Sequence, residues 1–189
     1  MGLVFWLGAF AVCQAQDAVT ENAEIVVSAT RVPIEEETSP ATVTVVAAED
    51  FAEKQIKRVA DALREVPGLA VTQSGAPGSL TSVFTRGLRS EHTQVLLDGI
   101  PINQGLQGAF NFADLTVDDI DRIEVVRGPQ STLYGPSALA GVIQIFTRRG
   151  SGPASGAVSV EGGSFDTFRA SASAQGSYKQ LDYSLGLSG

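Results

Sequence analysis

The period of hydrophobic and polar positions changes along the chain, and each period predicts a different kind of element. Residues 41–46 read ATVTVV, a β-branched run that is typical of a strand. From residue 48 to residue 66 the apolar side chains fall near helical spacing, and Pro67-Gly68 ends the pattern. We therefore expect a strand followed by one helix, which indicates mixed α and β structure.

Shorter runs continue this pattern as far as residue 149. Apolar runs predict strands at 69–73, 83–86, 93–97, 123–126 and 142–147. Helical turns are predicted at 117–121 and 137–140, and loops at 74–79 and 104–111. Asp98-Gly99 is a strong signal of a tight turn between strands. Residues 41–149 are thus expected to form an α+β domain, a small mixed sheet with short helices.

After Gly150 the pattern changes again. A glycine- and serine-rich linker at 150–156 precedes three segments in which apolar and polar residues alternate, around 158–160, 167–175 and 181–188. Alternating segments of about ten residues, joined by turns, are the signature of transmembrane β-barrel strands. The same alternation occurs in any antiparallel sheet with one wet face, so both interpretations stay open here.

The N-terminus reads as an export signal. Residues 2–12 are apolar, which is too short for a spanning helix of roughly 20 residues but suits the core of a signal peptide. Small residues place a cleavage after Ala15, which gives a signal peptide at 1–15 whose charged start is missing. A lipoprotein site at Cys13 and a buried N-terminal helix are the alternatives.

Charge and composition remove several classes of function. The chain has 21 acidic and 13 basic residues, a net charge of −8, and therefore lacks the basic face that a nucleic-acid-binding protein needs. Cys13 lies in the leader, so no cysteine-based metal site is expected beyond it, and every histidine-dependent mechanism would rest on His92 alone. We predict a protein that is not an enzyme and that holds no metal and no cofactor.

Two features of the sequence indicate a role in binding. Residues 24–31, EIVVSATR, form a β-prone octet between polar flanks with no predicted partner strand, which suits docking onto the sheet edge of another protein. A plain strand of the domain is the alternative. Arg86-Gly87 and Arg127-Gly128 each put a cation at the end of an apolar strand, where a solvated strand end is the simpler interpretation.

Four stretches carry a family resemblance: residues 24–31, 59–73 (VADALREVPGLAVTQ), 84–103 (FTRGLRSEHTQVLLDGIPIN) and 123–147 (IEVVRGPQSTLYGPSALAGVIQIFT). In this order and spacing, over about 125 residues, they resemble the N-terminal part of TonB-dependent outer-membrane receptors. The resemblance is strongest to the vitamin B12 (cobalamin) receptor branch.

The resemblance implies an α+β plug domain followed by the first strands of an antiparallel transmembrane β-barrel. Its segments would be a periplasmic lead at 16–40, a plug at 41–149, a linker at 150–156 and two to three barrel strands at 157–189. A barrel of 22 strands needs over roughly 200 residues, so we expect a longer protein.

The implied function is active transport of a scarce nutrient across the outer membrane, with the plug gating the barrel. The implied partners are the periplasmic TonB protein, outer-membrane lipid and a large ligand, here cobalamin. A ferric-siderophore receptor of the same family is the first alternative, and a secreted soluble β-rich binding module is the second.

The resemblance also assigns candidate residues, none of them catalytic. The TonB-binding segment, called the TonB box, comprises Glu24, Ile25, Val26, Val27, Ser28, Ala29 and Thr30. The expected contacts between plug and barrel are Arg86 and Arg127. The loop residues expected to contact ligand are Gln73, Ser74, Ser79, Asn103, Gln104, Gln107 and Asn111. Ordinary solvated loops are the alternative for this last group.

Overall fold

The strands in the described part of the chain form four separate sheets. The computed structural model describes residues 25–26, 30, 34–35, 41–76, 78–103, 108–150, 153–162, 168–178 and 181–189. Within these ranges the sheets have five, three, two and two strands. No helix of the described ranges is long and apolar enough to cross a membrane.

The first half of the described chain contains five strands and two helices. They are β1 (Ile25–Val26), β2 (Ile34–Glu35), β3 (Thr42–Ala47), α1 (Ala48–Glu53), α2 (Val59–Arg64), β4 (Leu69–Gln73) and β5 (Thr81–Thr85). β1 pairs antiparallel with β2, and β4 with β5.

The second half completes the main sheet and then starts a new one. Its elements are β6 (Thr93–Leu97), β7 (Ile100–Pro101), β8 (Ile120–Arg127), α3 (Ser131–Tyr134), β9 (Gly141–Thr147), β10 (Ser155–Gly162), β11 (Phe168–Tyr178) and β12 (Leu181–Ser188). Short 3-10 helices cover Ser90–His92 and Pro136–Ala138.

The five-stranded sheet has the order β3-β8-β9-β6-β7 and is mixed, as the sequence predicts. β6 and β9 run parallel, whereas the other neighbours are antiparallel. At one end of the sheet Arg127 pairs with both Thr42 and Gly141, and Thr93 pairs with Gly141. The ends of four strands therefore meet at this edge.

Apolar side chains cover both faces of this sheet. On one face Ile123, Ile143 and Ile145 are fully buried against α1, α2 and the β4–β5 pair. On the other face Val126 and Val142 pack with Ala138 of the second 3-10 helix. The short helices close the core because α1 contributes one buried phenylalanine and α2 contributes four buried apolar residues.

The helix expected over residues 48–66 is instead two helices, so that prediction is wrong. Between α1 and α2, Gln55 has a φ of +53° and Arg58 forms an isolated bridge with Thr116. The Val59 N–H also donates to the Leu115 carbonyl at 3.0 Å. This segment hydrogen-bonds to a distant part of the chain, and that interaction outweighs its helical periodicity.

Three smaller boundaries also differ from expectation. The predicted helical turn at 117–121 is a tight turn, and β8 already begins at Ile120. The strand expected at 83–86 runs from Thr81 to Thr85, which puts Arg86 into a turn with a φ of +50°. The helix expected at 137–140 is a 3-10 helix at Pro136–Ala138, preceded by α3.

The Asp98-Gly99 turn is confirmed. Both residues have positive φ, +48° and +85°, and they join β6 to β7 with Leu97 directly opposite Ile100. Positive φ at both central residues is the type I′ geometry that matches strand twist, and it is why Asp-Gly is favoured there.

The last three strands form an antiparallel sheet in the order β10-β11-β12. β10 begins at Ser155, inside the expected linker, and β11 continues three residues past the expected segment, as far as Tyr178. One face carries exposed apolar side chains, among them Val158, Val160, Leu185 and Leu187. The opposite face carries small polar ones, and Ser159 and Ser171 hydrogen-bond there at 2.8 Å.

Candidate functional site

The loop after β4 is held by its own polar groups. Gln73 Nε2 donates to the carbonyl oxygens of Gly75 and Ala76 at 3.3 and 2.6 Å. The Ser74 N–H donates to the Leu80 carbonyl at 2.9 Å, which closes the base of the loop. Gln73, expected to contact ligand, therefore uses its amide N–H groups to shape the loop.

Asn103 is an internal clamp. Its Oδ1 accepts hydrogen bonds from the Val95 N–H at 3.2 Å and from Gln94 Nε2. Its Nδ2 donates to the carbonyls of Thr93 and Gly108 at 3.3 and 3.0 Å. An asparagine amide offers two donors and two acceptor lone pairs, so no capacity remains for a ligand.

Asn111 joins the second candidate loop to the first. Its Oδ1 accepts from the backbone N–H of Thr81 at 2.9 Å and of Ala113 at 3.1 Å. The Phe112 N–H also donates to the Thr81 carbonyl at 3.0 Å. Of the other expected contacts, Ser74 is exposed and Ser79 half-buried, whereas Gln104 and Gln107 lie outside the described residues. Thr81 was not among the expected residues, although its place directly after a polar loop could have indicated it.

Arg127 is bonded inside the domain. Its guanidinium donates to the Pro67 carbonyl and to Thr44 Oγ1, each at 2.6 Å. Its Nε is buried and has no partner among the described residues. Gly128 follows with a φ of +124°, a backbone conformation that favours glycine.

Arg86 lies beside Arg127 at the same corner. A Cβ atom placed on Gly68 would be 3.6 Å from Arg127 Cδ and 4.0 Å from Arg86 Cγ, so the two side chains flank that glycine. Arg86 is exposed, and within the described ranges neither arginine forms an ion pair. The corner therefore carries two positive charges that described acids do not neutralise.

The candidate docking segment is only partly described. Ile25 and Val26 pair with Glu35 and Ile34, which contradicts the expectation that this segment has no nearby partner strand. The pairing is short, with two residues in each strand, and local in the chain. Glu24, Val27, Ser28 and Ala29 lie outside the described residues.

An ion pair between the partly buried Arg122 and the fully buried Glu124 was missed by the sequence analysis. Arg122 Nε donates to Glu124 Oε1 at 2.9 Å, and the Arg122 guanidinium lies 3.9 Å above the centre of the Phe146 ring. Arg122 and Glu124 are two residues apart on one strand and thus share a face. That spacing, in a strand flanked by isoleucine and valine, is the signal that could have identified the pair.

The remaining candidates for chemistry are isolated acidic residues and His92. Across the described ranges no three side chains of His, Cys, Asp or Glu come together as metal ligands. His92 is partly exposed, and its Nε2 lies 3.9 Å from Glu91 Oε1.

The fold is that of several solved receptors. The ferripyoverdine receptor of the outer membrane of Pseudomonas aeruginosa is 22% identical, with a TM-score of 0.72 over 83% of this chain. The ferric yersiniabactin uptake receptor FyuA from Yersinia pestis is 24% identical, with a TM-score of 0.60 over 74% of the chain. The ferric enterobactin receptor PfeA from P. aeruginosa, in complex with enterobactin, is 26% identical, with a TM-score of 0.58 over 74%.

The chain spans 20% to 23% of the length of these receptors. Its five-stranded sheet with short helices corresponds to the plug domain of these receptors, and its last strands match the start of their barrel. The sequence resemblance to the cobalamin branch finds no support in these similarities, which are to ferric-siderophore receptors. The family comprises outer-membrane receptors for transport and is not a class of enzymes. The TonB-dependent receptor plug domain matches residues 35–142, more than half of the sequence, and the chain therefore belongs to this family.

Proposed function

We propose that this chain provides the plug and first barrel strands of an outer-membrane receptor that imports a ferric siderophore with energy from TonB. The similarity to receptors for ferripyoverdine, ferric yersiniabactin and ferric enterobactin carries this proposal. It replaces cobalamin, the ligand that the sequence resemblance implied. No bond of the ligand is made or broken, because the residues brought together bind and position rather than react.

The test is direct binding by the full-length receptor. Purified receptor in detergent is titrated with ferripyoverdine, ferric enterobactin, ferric yersiniabactin and cyanocobalamin. Saturable binding of a ferric chelate, with no binding of cyanocobalamin, supports the proposal. Binding of cyanocobalamin alone would restore the original assignment.

We further propose that residues 24–31 are the TonB box and lie in the periplasm. An extended segment adds to a partner's sheet through its backbone hydrogen bonds. Val26→Pro removes one N–H and fixes φ, so we expect energised uptake to fall at least about tenfold while ligand binding is unchanged.

Val26→Ala is the matched control, since it keeps the backbone donor, and uptake should remain near the wild-type rate. Uptake is measured with radioactive iron in cells that express either variant at equal level. Wild-type uptake by the proline variant would contradict the docking role.

The corner formed by Arg86 and Arg127 is proposed to face acids of the barrel wall. Two cations without described acidic partners, one of them exposed, support this role. Arg86 is the better candidate for direct pairing, because Arg127 already donates to Pro67 and Thr44.

The proposed segments are the signal peptide at 1–15, the periplasmic lead at 16–40, the plug at 41–149, the linker at 150–156 and barrel strands from 157. The start of β10 at Ser155 argues for a linker that ends two residues earlier. Mass spectrometry of the mature N-terminus tests the cleavage after Ala15.

A further inference from the structure

Thr81 has its polar groups occupied although it begins a strand beside an exposed loop. It is 3% exposed. Its N–H donates to Asn111 Oδ1, its carbonyl accepts from the Phe112 N–H, and its Oγ1 donates to the Ser79 carbonyl at 3.0 Å. Thr81 is therefore the point at which the loop after β4 is tied to residues 111–113.

Asn111 supplies the side-chain hydrogen bond of this connection, whereas the bond between Phe112 and Thr81 is formed by the backbone alone. Its single Oδ1 accepts hydrogen bonds from the N–H groups of Thr81 and Ala113. The side chain therefore takes the role that a backbone carbonyl of a neighbouring strand would have in a sheet. Because both donors are backbone N–H groups, the accepting atom must be the oxygen, which fixes the orientation of the amide. Removing that oxygen would leave the buried Thr81 N–H without a partner.

The tie also has a rigid base on each side. Phe112 is 2% exposed, and its ring meets Phe110 edge to face with 4.8 Å between centroids. On the other side, Gln73 and the Ser74–Leu80 hydrogen bond close the loop on itself. The relative position of the two segments thus depends on the few hydrogen bonds between Thr81 and residues 111–112.

We infer that Asn111 is a positioning residue that couples the loop after β4 to residues 111–113, so that this loop and residues 108–111 meet a ligand as one surface. This inference rests on the proposed function for the ligand, but the coupling itself does not. A direct ligand contact by Asn111 is the competing role, and the two roles respond differently to aspartate.

Asn111→Asp keeps an oxygen that can accept both N–H groups and removes the amide donor. Asn111→Ala removes the acceptor as well. If Asn111 acts by positioning, the aspartate variant retains wild-type behaviour and the alanine variant does not. Asp114→Ala is the matched control, because Asp114 is exposed on the same segment and has no hydrogen bond among the described residues.

The first measurement is hydrogen exchange in the full-length receptor, read on peptides that contain Thr81 and Phe112. We expect exchange at least about tenfold faster in Asn111→Ala, and unchanged in Asn111→Asp and Asp114→Ala. Equal exchange in all variants would overturn the coupling, whatever the ligand is.

The second measurement is the Kd for the ferric siderophores named above. We expect at least about tenfold weaker binding for Asn111→Ala, with rescue in Asn111→Asp. Loss of affinity in both variants would assign a direct contact and overturn the positioning role. If the wild-type receptor bound none of the ferric siderophores, the proposed function would fail, while the exchange result would still decide the coupling.

Discussion

Glu124 is a fully buried carboxylate in the middle of β8, and its Arg122 partner is only partly buried. The pair is also held by the Phe146 ring, which stacks on the guanidinium. A buried charge is tolerated only when it is paired and hydrogen-bonded, so each partner depends on the other. At the residue scale, this ion pair therefore contributes to the stability of the central strands.

We expect Arg122→Ala to destabilise the plug by about 3–5 kcal/mol, since it leaves the fully buried Glu124 carboxylate without its arginine partner. Urea unfolding of the plug within the detergent-solubilised receptor measures this change. Asp121→Ala removes the exposed partner of the same arginine, 3.2 Å away, and should cost less than about 1 kcal/mol. Equal losses for the two variants would contradict a dependence on burial.

At the scale of elements, the turn of the β6–β7 hairpin is hydrogen-bonded to β9. Asp98 carries a positive φ, and its carboxylate accepts from the Thr147 N–H at 3.0 Å and from Thr147 Oγ1 at 2.7 Å. The Asp98 N–H donates to the Ile145 carbonyl at 2.9 Å. Asp98 therefore helps to set the register of β6 against β9, two strands that its turn does not connect.

Asp98→Ala should cost about 2 kcal/mol, because two hydrogen bonds are lost and alanine tolerates positive φ less well than aspartate. Asp98→Asn retains an acceptor and the conformational tolerance, so its cost should be less than half as large. The exchange rate of the Thr147 amide reports the change. An unaltered exchange rate in the alanine variant would show that the hydrogen bonds between Asp98 and Thr147 do not contribute to stability.

Elements with local causes could be predicted from the sequence, and those with distant causes could not. The Asp98-Gly99 turn and the strands of the main sheet follow from neighbouring residues. The break between α1 and α2 depends instead on Arg58 meeting Thr116, which no local pattern reveals. For the site, the loops could be located, but Asn103 and Asn111 look like free amides until their backbone partners are known.

At the scale of the whole molecule, the two faces of the β10–β12 sheet have opposite character. Val158 and Leu187 are 80% and 78% exposed, and both pair with Ala172 across the sheet. The other face presents serines. In an outer-membrane receptor the apolar face would contact lipid, and the small polar face would look inward.

Leu187→Arg should therefore lower the amount of folded receptor in the outer membrane several-fold, because an arginine on the lipid face costs about 2–4 kcal/mol near the midplane. Ser184→Asn lies on the opposite face of the same strand and should leave the amount unchanged. Quantitative blots of outer-membrane fractions measure both. A normal level of the arginine variant would place this face away from lipid.

The order of strands in the main sheet has a consequence for the time course of biosynthesis. β3 emerges first but its one neighbour in the sheet is β8, and Thr42 waits for Arg127. At about 5–20 residues per second, the intervening stretch of about 80 residues takes roughly 4–16 seconds to make. During that interval the uncharged TVTVVA strand has no native partner strand, and its open backbone edge is a segment that an escorting chaperone would need to cover.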